Sequence, residues 1–293
     1  MENRSLVQYS LDMLRLEFKV STSNLQKLLN SFQYRTDYDY WESNKYFTYR
    51  HQFTFRVDLK NSYTLLADFI DARKNANKII ILEFNPNKVG SDLGMLSLLN
   101  KLCLMAYKKR VVRFDCAIDI PVPRDRCLLF KDQRTYSEYR NSSSDLTEYL
   151  GHRNKHGFVK LYNKARELGL SDDNLTRLEI TVDGDKIDEF ESIFPQVYVL
   201  DNYQVNESFL ALNDTDKVLV LACMENPKYL DMLGRKKGKK IKEFIAVNSF
   251  IPLPDFKLFD SIYNFAIGFI SPSAIILEDK GRTVNSVENP FAK

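Results

Sequence analysis

Glycine and proline are scarce in this 293-residue chain, 10 and 9 respectively, which excludes collagen-like and low-complexity architectures. Cysteine is sparser still. Cys103, Cys116, Cys127 and Cys223 lie far apart without a Cys-x-x-Cys pair, so neither a disulfide framework nor a zinc ribbon is expected. No stretch approaches the roughly 20 apolar residues of a membrane span. The opening MENRSLVQYSLDMLRLEF carries charges throughout, where a signal peptide has a continuous apolar core. A reduced, soluble, cytoplasmic protein without a membrane partner is the expectation. Excess charge is also missing: 42 Lys+Arg stand against 39 Asp+Glu, a net charge of +3. A wholesale basic protein is therefore excluded, and any nucleic-acid surface must be a local patch.

What is present is apolar and aromatic. Hydrophobic residues make up 44% of the chain, with 20 Phe and 16 Tyr, enough for a packed, strand-rich core. Residues 12–20 alternate Leu14, Leu16, Phe18 and Val20 with Arg15, Glu17 and Lys19, the period of a half-buried strand. Residues 52–59 alternate in the same way. Residues 79–84 form an almost wholly apolar run ending at Asn85-Pro86-Asn87, as a buried strand does. Residues 23–32, 63–76 and 93–107 have the spacing of amphipathic helices. An α+β domain on a mainly antiparallel sheet with packed helices is expected. After about residue 187 the texture turns helical, with helices expected over 214–225, 229–233, 239–247 and 255–269. A boundary near 190–215 gives two domains, 1–195 and 196–293, and the polar tail 271–293 is expected to be partly disordered.

Three segments share a pattern. In 111–120, Phe114, Cys116, Ile118 and Ile120 oppose Arg113, Asp115, Ala117 and Asp119. In 157–163, Val159 and Leu161 oppose Phe158, Lys160 and Tyr162. In 175–182, Thr176, Leu178, Ile180 and Val182 oppose Arg177, Glu179 and Thr181. In one sheet these strands gather Asp115, Asp119, Glu179, Lys160, Arg113, Arg177 and Tyr162 on a single face. Carboxylates of this kind hold Mg²⁺ or Mn²⁺, which polarises a phosphoryl oxygen, while lysine and arginine stabilise developing charge. A tyrosine hydroxyl supplies a nucleophile for covalent attack on phosphorus. The bland alternative is an ordinary solvated sheet face.

The segment from Thr147 to Lys164, TEYLGHRNKHGFVKLYNK, resembles the replication initiation factor family, which comprises plasmid rolling-circle initiators and related conjugative-element relaxases. Gly151–Arg153 matches its glycine-and-arginine turn. Phe158–Lys164 matches an apolar strand ending in Tyr-Asn-Lys, and Arg177-Leu178-Glu179 matches its Arg-x-Glu strand. Upstream, Arg113-Phe114-Asp115-Cys116-Ala117-Ile118-Asp119 is similar to its Arg-x-Asp-x-Ala-x-Asp strand, and Asp12-Met13-Leu14-Arg15 to its first strand. The resemblance covers about residues 111–182 most strongly. It implies an enzyme that nicks one strand of an origin hairpin, stays joined to the 5′ phosphate and frees a 3′ hydroxyl primer. Tyr162 is then the nucleophile, with Tyr149 the alternative. Lys160 and Arg177 support it, and Asp115, Asp119 and Glu179 are the metal ligands. Arg113, Arg153 and Lys164 are expected to position DNA. A homodimer and a host helicase are the implied partners, besides origin DNA as hairpin and flanking duplex. The family's frequent His-hydrophobic-His motif is absent, and Thr176 stands where a Trp is common. His152 and His156 are expected to contact phosphate or to be structural, with a metal contact by one of them left open.

Between Lys228 and Glu243 lie seven cations, including Arg235, Lys236, Lys237, Lys239 and Lys240, against Asp231 and Glu243. Such a run neutralises phosphates on duplex DNA, or else is a solvated helix face. Beside a nicking domain, origin binding by a helix-turn-helix or winged-helix module is the better expectation. The rival functions are a relaxase acting at a transfer origin and a non-catalytic origin-binding initiator.

Overall fold

Alternating burial sets the strands of this protein, described here from a computed structural model over residues 7–33, 37–42, 49–69, 78–141, 145–200, 207–248, 250–252 and 257–271. In chain order the strands are β1 (Gln8–Val20), β2 (Tyr38–Glu42), β3 (Tyr49–Arg56), β4 (Ser62–Phe69), β5 (Lys78–Phe84), β6 (Lys108–Ile120), β7 (Cys127–Leu129), β8 (Tyr136–Asn141), β9 (Asp145–Leu150), β10 (Val159–Asn163), β11 (Thr176–Asp183), β12 (Val197–Leu200) and β13 (Phe250–Pro252). The chain divides into two compact units. One comprises Met1–Gln8, Ile118–Ile180 and Glu191–Phe256, the other Tyr9–Ala117, Thr181–Phe190 and Lys257–Lys293. This division is not contiguous in sequence, as the expected 1–195 and 196–293 are, because burial takes no account of chain order. The strands β6 and β11 each carry the chain from one unit into the other.

In the unit that holds β1, antiparallel pairing runs β2-β3-β4-β5-β1. Leu14, Leu16, Phe18 and Val20 are fully buried, as the alternation requires. The helix Thr22–Phe32 starts where the Ser21 hydroxyl accepts a hydrogen bond from the Asn24 backbone N–H at 3.2 Å. It buries Leu25, Leu28 and Phe32, and Phe32 meets Phe53 and Phe55 at 4.9 and 5.5 Å between ring centroids. The helix Leu93–Met105 is capped by Asp92 and buries Met95, Leu96, Leu98, Leu99 and Leu102. One expectation fails here. Residues 63–76 do not begin a helix: β4 occupies Ser62–Phe69, and 70–77 lie outside the described residues. Tyr63, Leu65 and Ala67 are buried at period two, and pairing with β3 on one side and β5 on the other outweighs a helical spacing of leucines.

In the other unit, β11, β10, β9 and β8 pair in that order, antiparallel throughout. A small sheet, β13-β12-β7, lies in the same unit. The helices Asp214–Glu225 and Arg235–Asn248 are joined by a 3-10 turn, Pro227–Met232, in place of the expected helix over 229–233. Val220 and Cys223 of the first helix share a core with Ile241 and Ile245 of the second and with Leu200 and Phe209. The helix expected over 255–269 is present as Lys257–Gly268 but belongs with β1 to β5. Beyond Ser271 the tail lies outside the described residues.

Candidate functional site

Strand register builds the candidate site. Lys160 stands opposite Glu179 and Tyr162 opposite Arg177 between β10 and β11, while Tyr149 of β9 stands opposite Lys160. Opposite residues share a face. The intervening Val159, Leu161, Leu178 and Ile180 are fully buried on the other face. Lys160, Tyr162, Arg177 and Glu179 are thereby brought to one surface, as the alternation in the sequence implied, and the register adds Tyr149 to it.

Tyr162 is the centre of this surface and only 5% exposed. Its hydroxyl donates to Glu179 Oε1 at 2.6 Å and accepts from Lys164 Nζ at 3.3 Å. Lys160 Nζ lies 3.6 Å from the centre of its ring, a cation–π contact, and 4.0 Å from Glu179 Oε2. Lys164 reaches the hydroxyl because β10 stops at Asn163, whose side chain accepts from the Arg166 N–H at 2.9 Å and starts a single turn, Lys164–Glu167. Lys164 is itself buried and holds Glu167 at 2.9 Å. Burial, and then the Glu179 carboxylate, push the Tyr162 hydroxyl far above the ordinary tyrosine range. In this arrangement the hydroxyl is a neutral donor with its proton aimed at Glu179.

One strand step away, Arg177 grips Asp119 with two parallel hydrogen bonds, Nε to Oδ1 at 2.6 Å and the terminal nitrogen to Oδ2 at 2.7 Å. The three expected metal ligands meet a different arrangement. Both oxygens of Asp119 serve Arg177, and Glu179 serves Tyr162 and Lys160. Asp115, like Arg113, lies on the part of β6 that belongs to the other unit. Among the described residues no group of three or more His, Cys, Asp or Glu side chains is arranged to hold a metal ion. Asp119 and Glu179 as arranged are not an open donor pair for a hard divalent cation: Arg177 takes both oxygens of Asp119, and Glu179 accepts from the Tyr162 hydroxyl beside Lys160.

The turn between β9 and β10 holds Gly151, Asn154 and Gly157 at φ of 81°, 63° and 75°, a left-handed backbone that glycine and asparagine tolerate. His152 and His156 sit in this turn, where four-residue spacing does not stack side chains as it does on a helix. Arg153 is exposed at its tip, as a DNA contact requires. Lys164 is buried beside Tyr162, so it belongs to the tyrosine's surroundings and not to an outer DNA surface.

The basic run divides by partner. Lys237 and Lys240 bind the two oxygens of fully buried Asp216 at 2.6 and 2.7 Å. Their hydrogen bonds hold its carboxyl at about 2. Lys242 donates to the Leu129 carbonyl at 3.1 Å and lies 5.3 Å from the Phe130 ring centre. Arg235, Lys236 and Lys239 are exposed, and Lys239 has Glu243 at 3.8 Å. Two of the five expected DNA-binding cations of this helix, Lys237 and Lys240, are thus engaged within the protein. Sequence reasoning overlooked Asp216, which reads as an ordinary first-turn acid, and Glu167. It also passed over the buried Arg124–Glu148 pair, to which Tyr136 donates at 2.9 Å. That pair lines a cleft of about 420 Å³ between β8, β9 and the segment from Pro227 to Lys242. Arg124 and Glu148 each read as an ordinary surface charge, so nothing in the local pattern marks them as partners.

No helix among the described residues is long and apolar enough to cross a membrane. No family model matches the chain. Two proteins named replication initiation protein, both from Staphylococcus aureus, are 25% and 24% identical to it over 184 residues, 59% of this chain. The matched stretch covers 56% of the length of each relative. Among solved structures, a rolling circle replication initiator protein from Geobacillus stearothermophilus aligns with 83% of this chain and 98% of its own, at 12% identity and a TM-score of 0.41, too slight a likeness to carry weight. The family resemblance carried by Gly151–Arg153, Tyr162-Asn163-Lys164 and Arg177-Leu178-Glu179 thus has a counterpart in a similarity to replication initiation proteins over 59% of the chain.

Proposed function

We propose that this protein initiates replication of a plasmid or mobile element in the cytoplasm by nicking one strand at the origin through Tyr162. The observation that carries this reading is the Tyr162 hydroxyl, held between Glu179 and Lys164 on a charged sheet face, in a chain similar to replication initiation proteins. In the proposed step the tyrosine oxygen attacks phosphorus and the bond to the 3′ oxygen breaks. A 5′-phosphotyrosine link forms, and the freed 3′ oxygen takes a proton to become the primer hydroxyl. The phenolic proton passes to Glu179, its hydrogen-bond acceptor, and Lys160 and Lys164 stabilise the charge that develops. Arg177, fixed by Asp119, keeps Tyr162 in register from the opposite strand. No step is assigned to Mg²⁺ or Mn²⁺; metal dependence enters as a variable of the test. Arg153, Arg235, Lys236 and Lys239 are the proposed contacts to origin DNA. A second copy of the chain and a host helicase are the proposed protein partners.

The test incubates the protein with a labelled origin hairpin, with Mn²⁺ or EDTA, and resolves products on a denaturing gel. A protein-linked 5′ fragment that disappears in Tyr162→Phe, with DNA binding retained, is expected, since only the nucleophilic oxygen is lost. Cleavage retained by that variant would remove the reading. The near-complete burial of Tyr162 favours a second reading, a non-catalytic origin-binding initiator, and duplex binding without cleavage of any candidate origin would establish it.

A further inference from the structure

The face that carries Tyr162 also carries two aromatic side chains that strand cleavage leaves unused. Tyr149 stands opposite Lys160, and its ring stacks on Phe158 with 5.8 Å between centroids and 17° between planes. Both are partly exposed, whereas Leu150 and Val159 beside them point to the other face and are fully buried. A stacked pair inside a core is accounted for by burial alone. This pair instead shows ring surface to solvent at the edge of a cationic site. The adjoining turn presents His152, Arg153 and Lys155, all exposed, and its left-handed residues fix its path. Arg134 further ties the turn down by donating to the Gly157 carbonyl at 2.7 Å. Aromatic faces beside cations that track a backbone are the chemistry that holds single-stranded nucleic acid, because every base has a π-face and every link a phosphate.

We propose that Tyr149 and Phe158 form a stacking platform for bases of single-stranded DNA, with Arg153, Lys155 and Lys160 receiving the neighbouring phosphates. The inference rests on the reading of Tyr162 as a site acting on a single strand, and it names the residues that hold the bases beside the tyrosine. It also makes Tyr149 a base-holding residue and not a second nucleophile.

The test measures fluorescence anisotropy with three probes: a short oligothymidylate, a duplex of the same length, and a sugar–phosphate strand lacking bases. Tyr149→Leu and Phe158→Leu retain apolar bulk and are each expected to weaken oligothymidylate binding about tenfold. Their affinity for the duplex and for the baseless strand stays that of the wild type. Tyr149→Phe keeps the π-face and is expected to recover the oligothymidylate binding that Tyr149→Leu loses. Equal weakening on all three probes, or none on oligothymidylate, would overturn the platform. Should one leucine variant fail to fold, the other decides. Quenching of a 2-aminopurine base in the strand by the wild-type protein gives an independent reading, and absence of quenching counts against the platform. Running the series in a Tyr162→Phe background separates the two ideas. Base-dependent binding without cleavage in any form of the protein sinks the nicking reading and keeps the platform. Cleavage without base dependence does the reverse.

Discussion

The charged sheet face and the basic helix Arg235–Asn248 both present clustered cations, and they use them in opposite ways. On the sheet face every cation has a carboxylate at hand: Arg177 grips Asp119, Lys160 neighbours Glu179, and Lys164 holds Glu167. On the helix the cations separate by whether Asp216 binds them. Lys237 and Lys240 bind buried Asp216 while their side chains keep contact with solvent, and Arg235, Lys236 and Lys239 are exposed without that tie. The first arrangement fixes geometry around one hydroxyl, and the second leaves charge free for a polyanion. A count of basic residues along the chain does not distinguish them. What does is where the opposing carboxylates fall in space, and Asp119 comes from 58 residues away from Arg177.

Breaking the sheet-face pairing gives the largest stability effect. Arg177→Met leaves Asp119 mostly buried without its bidentate partner and is expected to cost about 3 kcal/mol in urea unfolding. The double variant Asp119→Leu, Arg177→Met is expected to recover most of that. An equal loss in the double variant would assign the cost to lost packing and not to an uncompensated charge.

Releasing the lysines that Asp216 binds sharpens the contrast from the other side. Asp216→Ala frees Lys237 and Lys240, so the dependence of duplex affinity on salt should steepen by up to about 1.8 in log–log slope, at roughly 0.9 per phosphate neutralised. The melting midpoint falls at the same time. An unchanged slope would mean that both lysines already reach phosphate in the wild type.

The same pair has a pH signature. The Asp216 carboxyl is depressed to about 2 in the fold, below the roughly 3.9 of an unfolded aspartate. Its stabilisation is therefore fully present above about pH 4 and is lost as pH falls through about 2. The gap in melting midpoint between wild type and Asp216→Asn should be complete at about pH 5 and close toward about pH 2. A gap that persists at the acid end would exclude the charge as its cause. The smallest effect belongs to the outward face. Lys239→Gln should lower the salt slope by about 0.9 without a measurable change in stability, because the exposed Lys239–Glu243 pair at 3.8 Å contributes little.

Much of the site is legible in the order of residues alone. The period-two pattern in β10 and β11 puts Lys160, Tyr162, Arg177 and Glu179 on one face, and the register of the two strands agrees. The helix over 214–225 has the bounds its spacing implies. The failures share a cause. Residues 62–69 carry Leu65 and Leu66 in a pattern that suits either periodicity, and only neighbouring strands on both sides make it β4. The pairing of Asp119 with Arg177 and of Glu179 with Lys160 is likewise absent from the pattern of either strand, because it depends on which strands are neighbours.

By itself the sequence determined what depends on local order: which residues of a strand face together, where helices run between polar punctuation, and that Tyr162 lies among charges. These follow from backbone periodicities of 2 and 3.6, which act over a few residues. Tertiary structure alone decided the partners. It joined Asp216 to Lys237 and Lys240, drew Lys164 back onto the Tyr162 hydroxyl, and placed the helix Lys257–Gly268 in the unit of the first five strands. Each of these depends on burial and charge pairing between segments distant in the chain, and neither leaves a period in the sequence from which it can be read.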